Sequence, residues 1–472
     1  MLHSKIDSMI RVLMLLFLLT TLSCNPDSEE TKIEVYTADF SVAVNENQEA
    51  GAIIGKVSGT TNQGKVTFEL ISQSPENSLV LNESTGELRV LEPANFDYEI
   101  NPVISGQFKV LNDMTTATAS IRVELIDVIE KLNIYEGDVV LASQEEVDEF
   151  GSKNYDEING SLHITNLYST GKLISSLTPL ATIKKVEDLH LRNLQALGNL
   201  SGLDNLQEIK GDFYVISCPF VNLDELENLN SIGGDFQLSN NQRLVDIKGL
   251  HNINQVGSKF NISFNESLLN LDGLKNLISI GGNLEITRNS SLETLSGLSS
   301  LTSIGGHLIK IDDNPEIESL DGLASVKSLG GDSVSYYATI DIISNNKLAN
   351  IDGLSGLNNY SGWLGTDAPF IRILSNSSLV NIDGLQNITK ALYININSNH
   401  RLENLNGLKN LALIDQYLDT GNLDIRNNTV LDDFCGLTTL IEKKGYVEGA
   451  ITISKNAYNP SPNDILGGNC AK

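Results

Sequence analysis

The chain has 472 residues, with 60 acidic against 32 basic side chains, a formal net charge of −28, a sequence pI near 4.5 and only 6% aromatics. Such an acidic excess argues against nucleic acid as a partner, because phosphate binding needs clustered Lys and Arg. It suits an exported surface protein, and the length leaves room for two or three domains with ample core.

At the start of the chain, Lys5 and Arg11 flank an apolar run from Val12 to Leu19, and Thr20, Thr21, Leu22 and Ser23 lead into Cys24. The run is too short to span a bilayer as a stable helix. It resembles the signal peptide of bacterial lipoproteins, although the family's usual Leu three places before the Cys is Thr21 here. The resemblance implies a signal peptide over 1–24 and lipidation of Cys24. The acidic tether over 25–32, with Asp27, Glu29 and Glu30, is similar to those of surface lipoproteins of the Bacteroidetes type. The location this implies is export and attachment to the outer membrane through lipid, with display on the cell surface.

Residues 33–130 alternate apolar and polar side chains at 40–44, 65–70 and 118–125, with turn residues between. Period-2 alternation at this spacing predicts a seven-strand β-sandwich. Glu46-Asn47 followed by Gly51, Thr85-Gly86-Glu87, Phe96-Asp97-Tyr98-Glu99 and Ile126-Asp127 fall in the order of the motifs of a cadherin repeat, which the segment resembles. That family holds calcium between repeats, and the resemblance makes Glu46, Asp97, Glu99 and Asp127 the matching ligands. Two departures stand out. The family's Asp-x-Asp maps to Thr60 through Gly64, without a carboxylate, and its closing Asn-Asp is replaced by Val128-Ile129-Glu130.

A lead-in over 131–160 carries the capping-box pattern Ser143 to Glu146, which predicts a short helix through Phe150 covering the first coil of the repeats. From 161 to 472 one phrase recurs every 23 to 25 residues: a Leu, a Gly-Leu pair, Ile-Gly-Gly, a short alternating strand and an Asn. A fixed period in that range predicts a solenoid of parallel β-coils. The glycines are expected to turn a corner in backbone regions closed to other residues. Asn241, Asn265, Asn289, Asn314, Asn345, Asn376, Asn399 and Asn428 are expected to stack as a structural ladder. The phrasing resembles the leucine-rich receptor L-domain. The fold expected for the whole chain is therefore mainly β, an N-terminal cadherin-like sandwich followed by a right-handed parallel-β leucine-rich solenoid with a C-terminal cap.

Besides Cys24 there are three cysteines. Cys435, in the last Gly-Leu turn, and Cys470, near the C-terminus, are expected to bridge and pin the tail over the open end, leaving Cys218 as a buried or partly buried free thiol.

The Gly-Leu spacing lengthens to 31 between Gly322 and Gly353, to 31 again up to Gly384, and to 29 between Gly407 and Gly436. Insertions in a solenoid emerge as loops on one side. The first two bring Tyr336, Tyr337, Tyr360, Trp363, Asp367 and Phe370 to one edge, and Tyr417 sits in the third. Aromatics beside acids suit a sugar or peptide site, and equally an extension that packs its own rings. Asp272, Asp321, Asp352 and Asp383 precede Gly-Leu and read as turn formers. No histidine pair of metalloprotease spacing, nucleophile elbow or phosphate loop is present, so no enzyme activity is expected. The function expected is a lipid-anchored surface protein binding an extracellular protein or carbohydrate through the solenoid, with the sandwich as spacer. Two alternatives are calcium-dependent adhesion through the sandwich and a structural role in envelope or matrix assembly.

Overall fold

The computed structural model describes residues 32–113, 115–128, 131–167, 171–330, 337–360, 368–415, 422–446 and 450–472. They are mainly β and form two compact units, with the boundary between Lys131 and Leu132.

The first unit holds β1 (Val35–Thr37), β2 (Phe40–Asn45), β3 (Ile53–Lys56), β4 (Gly59–Thr61), β5 (Thr67–Ser74), β6 (Leu79–Leu81), β7 (Glu87–Val90), β8 (Val103–Asn112) and β9 (Thr115–Ile126). Seven of them make a four-stranded sheet, β2-β9-β8-β5, and a three-stranded sheet, β3-β7-β6; β1 and β4 pair as a separate ribbon. Alternation along β8 and β9 sends Ile104, Phe108, Val110, Ile121 and Val123 into a core shared with Leu88 and Phe96, all of them buried. β2 runs parallel to β9 with Asn45 opposite Ile126, so the residues just past each strand, Glu46 and Asp127, leave the sheet side by side.

The second unit opens with two short strands, Ile134–Glu136 and Val139–Leu141, and then α1 (Gln144–Gly151). The Ser143 hydroxyl accepts from Glu146 N at 3.3 Å, and the Glu146 carboxylate accepts from Ala142 N at 2.6 Å, so two backbone N–H groups at the helix start are satisfied. Val147 is buried and tucks this helix over the first coils. A single sheet of 21 strands, parallel throughout, then runs from Ile134–Glu136 to Ile451–Ser454. In one coil, Leu284–Thr287 is the long strand, Ser296–Leu298 a 3-10 turn at Gly-Leu, and Ser303–Ile304 a short second strand. Leu284, Ile286, Leu292, Leu295, Leu298, Leu301 and Ile304 all point inward and are buried. Each such row stacks on its counterpart in the next coil, as Ile262, Ile286, Ile311 and Ile342 do in register.

Just past the long strand each coil turns through a left-handed residue: Asn240, Phe264, Arg288, Asp313, Ser344, Ser375, Ser398 and Asn427 all have φ between 56° and 59°. The next residue is the ladder asparagine. Asn289 Oδ1 accepts from the N–H and the side-chain amide of Asn265, at 3.1 and 3.2 Å. Its own Nδ2 donates back to Ile262 O at 2.9 Å and forward to Asn314 Oδ1 at 3.1 Å. The same bonds recur from Asn241 to Asn428 and continue to Asn456, beyond the row expected from the repeat phrase. Asn459 then accepts from the Asn456 N–H and amide, taking the place that the next ladder asparagine has in the earlier coils. At the other end Cys218 occupies the ladder position. Its N–H donates to Asn241 Oδ1 at 2.9 Å, and its thiol points at Leu191 O at 3.5 Å, where an asparagine would place its amide. This buried thiol has its pKa pushed up by desolvation, to about 12, and is a structural substitute rather than a reactive group.

The glycines act differently from expectation. Gly273 and Gly281 have no left-handed backbone; a Cβ on Gly273 would lie 1.8 Å from Ile247 O, and one on Gly281 2.0 Å from Gly257 O. Close approach of one coil to the next excludes a side chain there, while the left-handed residue past each long strand is not a glycine; of the repeat glycines described, Gly202 and Gly330 do have positive φ. A second asparagine row, not anticipated from the repeat phrase, lies past the Gly-Leu turns: Asn228, Asn252, Asn276 and Asn410 each donate Nδ2 to a carbonyl of the preceding coil. A third row precedes the early long strands, where Asp188, Asp212 and Asp235 accept from Asp212 N, Asp235 N and Lys259 N. At the C-terminal end Cys435 and Cys470 form a disulfide, and Phe434 N donates to Cys470 O at 2.8 Å, holding the tail against the last coil.

The packing sets the size of three stability effects. Asn289→Ala strands the buried N–H of Asn265 and the carbonyl of Ile262 and is expected to cost about 2–5 kcal/mol, read as a lower denaturation midpoint. Asn276→Ala, at an exposed site, is expected to cost about 1 kcal/mol or less by the same measurement. Removing the disulfide with Cys435→Ala and Cys470→Ala is expected to cost about 3–4 kcal/mol for a loop of this length, reproduced in the unsubstituted chain by reduction.

Candidate functional site

The end of the sandwich gathers carboxylates from three segments that the strand order brings together. Glu46 follows β2 and Asp127 follows β9. Glu99 lies in the loop before β8, which the buried Phe96 anchors and which Asn47 N grips through Phe96 O at 2.7 Å. One oxygen from each of Glu46, Glu99 and Asp127 lies within 4.8 Å of the others, and this cluster could hold a metal ion. Glu99 and Asp127 are exposed, whereas Glu46 is 4% exposed.

Glu46 orders the site. Its Oε2 accepts from Tyr98 N at 2.7 Å and its Oε1 from Val128 N at 2.8 Å, so one carboxylate ties the loop before β8 to the chain leaving β9. Those two N–H groups outweigh desolvation and hold its pKa below the usual carboxylate range, keeping it ionised. Glu99 goes the other way. Its own backbone N–H favours the charged form, but desolvation and the charges of Glu46, Asp127 and Asp97 together raise its pKa. The cluster thus holds one firmly ionised carboxylate beside one reluctant to ionise, a charge imbalance that a cation would relieve.

Asp97 stands apart from the three converging oxygens. Its Oδ1 accepts from Ile100 N at 3.0 Å and its carbonyl accepts from Asn101 N, so it shapes the loop and reaches the cluster only through its charge on Glu99. The donor set is entirely oxygen, which fits a hard divalent ion; such an ion takes six to eight oxygens, so water or further backbone oxygens would complete the shell.

The aromatic residues of the insertions separate into three groups. Tyr336, Trp363, Asp367 and Tyr417 lie outside the described residues, as does Cys24. Tyr360 is not a surface residue: it is 9% exposed, stacks in register on Leu329, donates its hydroxyl to Leu357 O at 3.3 Å, and has its pKa raised by burial. Tyr337 and Phe370 do meet across coils, with ring centroids 5.2 Å apart, and Phe370 continues to Tyr393 at 6.1 Å. These rings are tilted against one another, by 49° and 38°, and pack along the stack from coil to coil. Beside them Arg372 makes a two-pronged pair with the buried Asp341, its Nε donating at 2.6 Å. The acids before Gly-Leu, Asp272, Asp321, Asp352 and Asp383, each open a 3-10 turn. Burial first, then Asp383 and Asp321, raise the pKa of Asp352.

No protein-family model matches the chain, and neither does any curated protein. Among solved structures, part of the chain is similar to protocadherin gamma B2 extracellular cadherin domains 1–5, at 20% identity over 21% of this chain and 20% of that one, with a TM-score of 0.19. It is similar also to the protocadherin gammaB4 extracellular domain, at 22% identity over 24% and 21% of the two chains, again with a TM-score of 0.19. The chain thus spans about a fifth of the length of these two structures. No helix of the described residues is long and apolar enough to cross a membrane.

The raised pKa of Glu99 sets the sign of a pH dependence. A cation and a proton compete for Glu99, so divalent-ion affinity is expected to rise with pH through the Glu99 titration and to fall below it. Glu99→Gln is expected to weaken binding and flatten that pH profile, checked by calorimetric titration at several pH values.

Proposed function

We propose that the chain is a lipid-anchored binding or adhesion protein of the cell surface, whose sandwich holds calcium and whose leucine-rich, receptor L-domain-like solenoid presents an extended surface to an extracellular protein or carbohydrate. The observation that carries this reading is the convergence of Glu46, Glu99 and Asp127 on one point, with Glu46 fixed by two backbone N–H groups. Calcium suits the all-oxygen donor set. When bound, it would link the loop before β8 to the chain leaving β9, both of which Glu46 already ties. The resemblance of the segment around these residues to a cadherin repeat supports the same ion. The solenoid supports the binding role through its shape: a long parallel sheet with a paired, polar outer face is a scaffold for recognition, and loops set on such scaffolds commonly carry it. The lipoprotein-like start of the chain supports surface display.

Calorimetric titration of calcium into the purified chain tests the proposal. Saturable binding in the micromolar-to-millimolar range of extracellular modules, abolished by Glu46→Ala and by Glu99→Ala, is the expected result. No heat and no rise in melting temperature with calcium would reduce the sandwich to a spacer and refute calcium dependence.

A further inference from the structure

The first coils carry a histidine pair that the sandwich site does not involve. His163 and His190 stand directly opposite each other on adjacent parallel strands, with Tyr214 next in the same row. Their neighbours Leu162, Ile164, Leu189 and Leu191 are buried, so the alternation of the strand turns both imidazoles to the outer face. The two Nδ1 atoms are 3.1 Å apart and hydrogen-bonded, one ring's N–H donating to the other's lone pair, and it is this proton that a bound ion would replace. At the 2.0–2.1 Å bonds of imidazole to zinc, two nitrogens on one ion lie about 2.9–3.4 Å apart for angles between square and tetrahedral. The rings are nearly perpendicular, at 82°, with centroids 4.4 Å apart.

We propose that His163 and His190 are the protein ligands of a second cation site, one for a borderline divalent transition ion of the zinc and copper class. Imidazole nitrogen suits such ions, in contrast to the oxygen-only cluster of the sandwich. The surroundings hold the pair in place and set two carboxylates near it. The Tyr214 ring stacks on His190 at 4.5 Å and 9°, and its hydroxyl is fixed by Asp212 Oδ2 at 2.8 Å. Asp188 and Asp212 face His190 as negative charges against the single positive charge of Arg192. Asp188 is itself held by Ser161 Oγ at 2.6 Å and by Asp212 N at 2.6 Å. Burial, then His163 and Arg192, lower the pKa of His190 in spite of those acids. His190 Nε2 is buried without a hydrogen-bond partner, so no bond there dictates which nitrogen carries the proton. Among the described residues no third His, Cys, Asp or Glu joins the pair at ligand distance, so water completes the coordination and the site stays open.

Zinc titrated into the purified chain, with calcium in excess to occupy the sandwich carboxylates, tests the site. One saturable equivalent is expected, lost in His163→Ala, His163→Gln and His190→Ala and retained in His251→Ala, with the imidazole NMR signals of His163 and His190 shifting on saturation. Zinc binding that survives all three substitutions, or heat that never saturates, would overturn the proposal. Unchanged circular dichroism in the variants ties any loss to the ligands rather than to unfolding.

Discussion

The buried asparagine ladder is the constraint on which the solenoid depends. Each ladder amide accepts from the coil before it and donates both to that coil and to the one after, so every coil completes its neighbour's hydrogen bonding. A buried amide left half-satisfied costs more than the bond gains, so the ladder must be continuous and must be closed at both ends. Both closures are visible. Cys218 begins it with a group that can donate but needs no full amide complement, and Asn459 ends it by folding back on Asn456. The glycines follow from the same closeness: with one coil's carbonyl 1.8 Å from where a Cβ would sit, only glycine fits at Gly-Leu.

A stack built this way leaves its surface free to vary, and it varies by charge. On the outer face acids and bases pair between or within coils, as Lys259 with Glu285 and Arg372 with Asp341, so those acids are locally compensated. The carboxylates of the sandwich differ in kind. Glu46 is held by backbone N–H groups instead of a basic side chain, and among the described residues it, Glu99 and Asp127 form no salt bridge. Uncompensated negative charge ordered by the main chain is what a cation site requires and what a paired surface lacks.

Much of this was legible in the sequence, for identifiable reasons. The period, the ladder from Asn241 to Asn428 and the capping box at Ser143 are local patterns that repeat or carry their own chemistry. Asn456 follows a strand and a left-handed Lys455, as earlier ladder residues do, and was visible in principle; its coil lacks the Gly-Leu that flagged the others. The role of the glycines was misread because sequence shows that a side chain is missing and not whether conformation or a neighbouring coil forbids it. Tyr360 looked like a binding residue for a similar reason: composition places an aromatic near an insertion, while strand register decides that it faces the core. The histidine pair was hidden because its members are 27 residues apart in sequence and meet only through the register of adjacent coils.

Native-state hydrogen exchange tests the ladder most directly. The backbone N–H groups of Asn265, Asn289 and Asn314, each donated to the next ladder asparagine, should be among the slowest to exchange, opening only with the stack as a whole. Exchange at these positions as fast as at the backbone N–H of Glu227 or Lys275, exposed residues just past their 3-10 turns, would contradict the ladder as the element that holds the coils together.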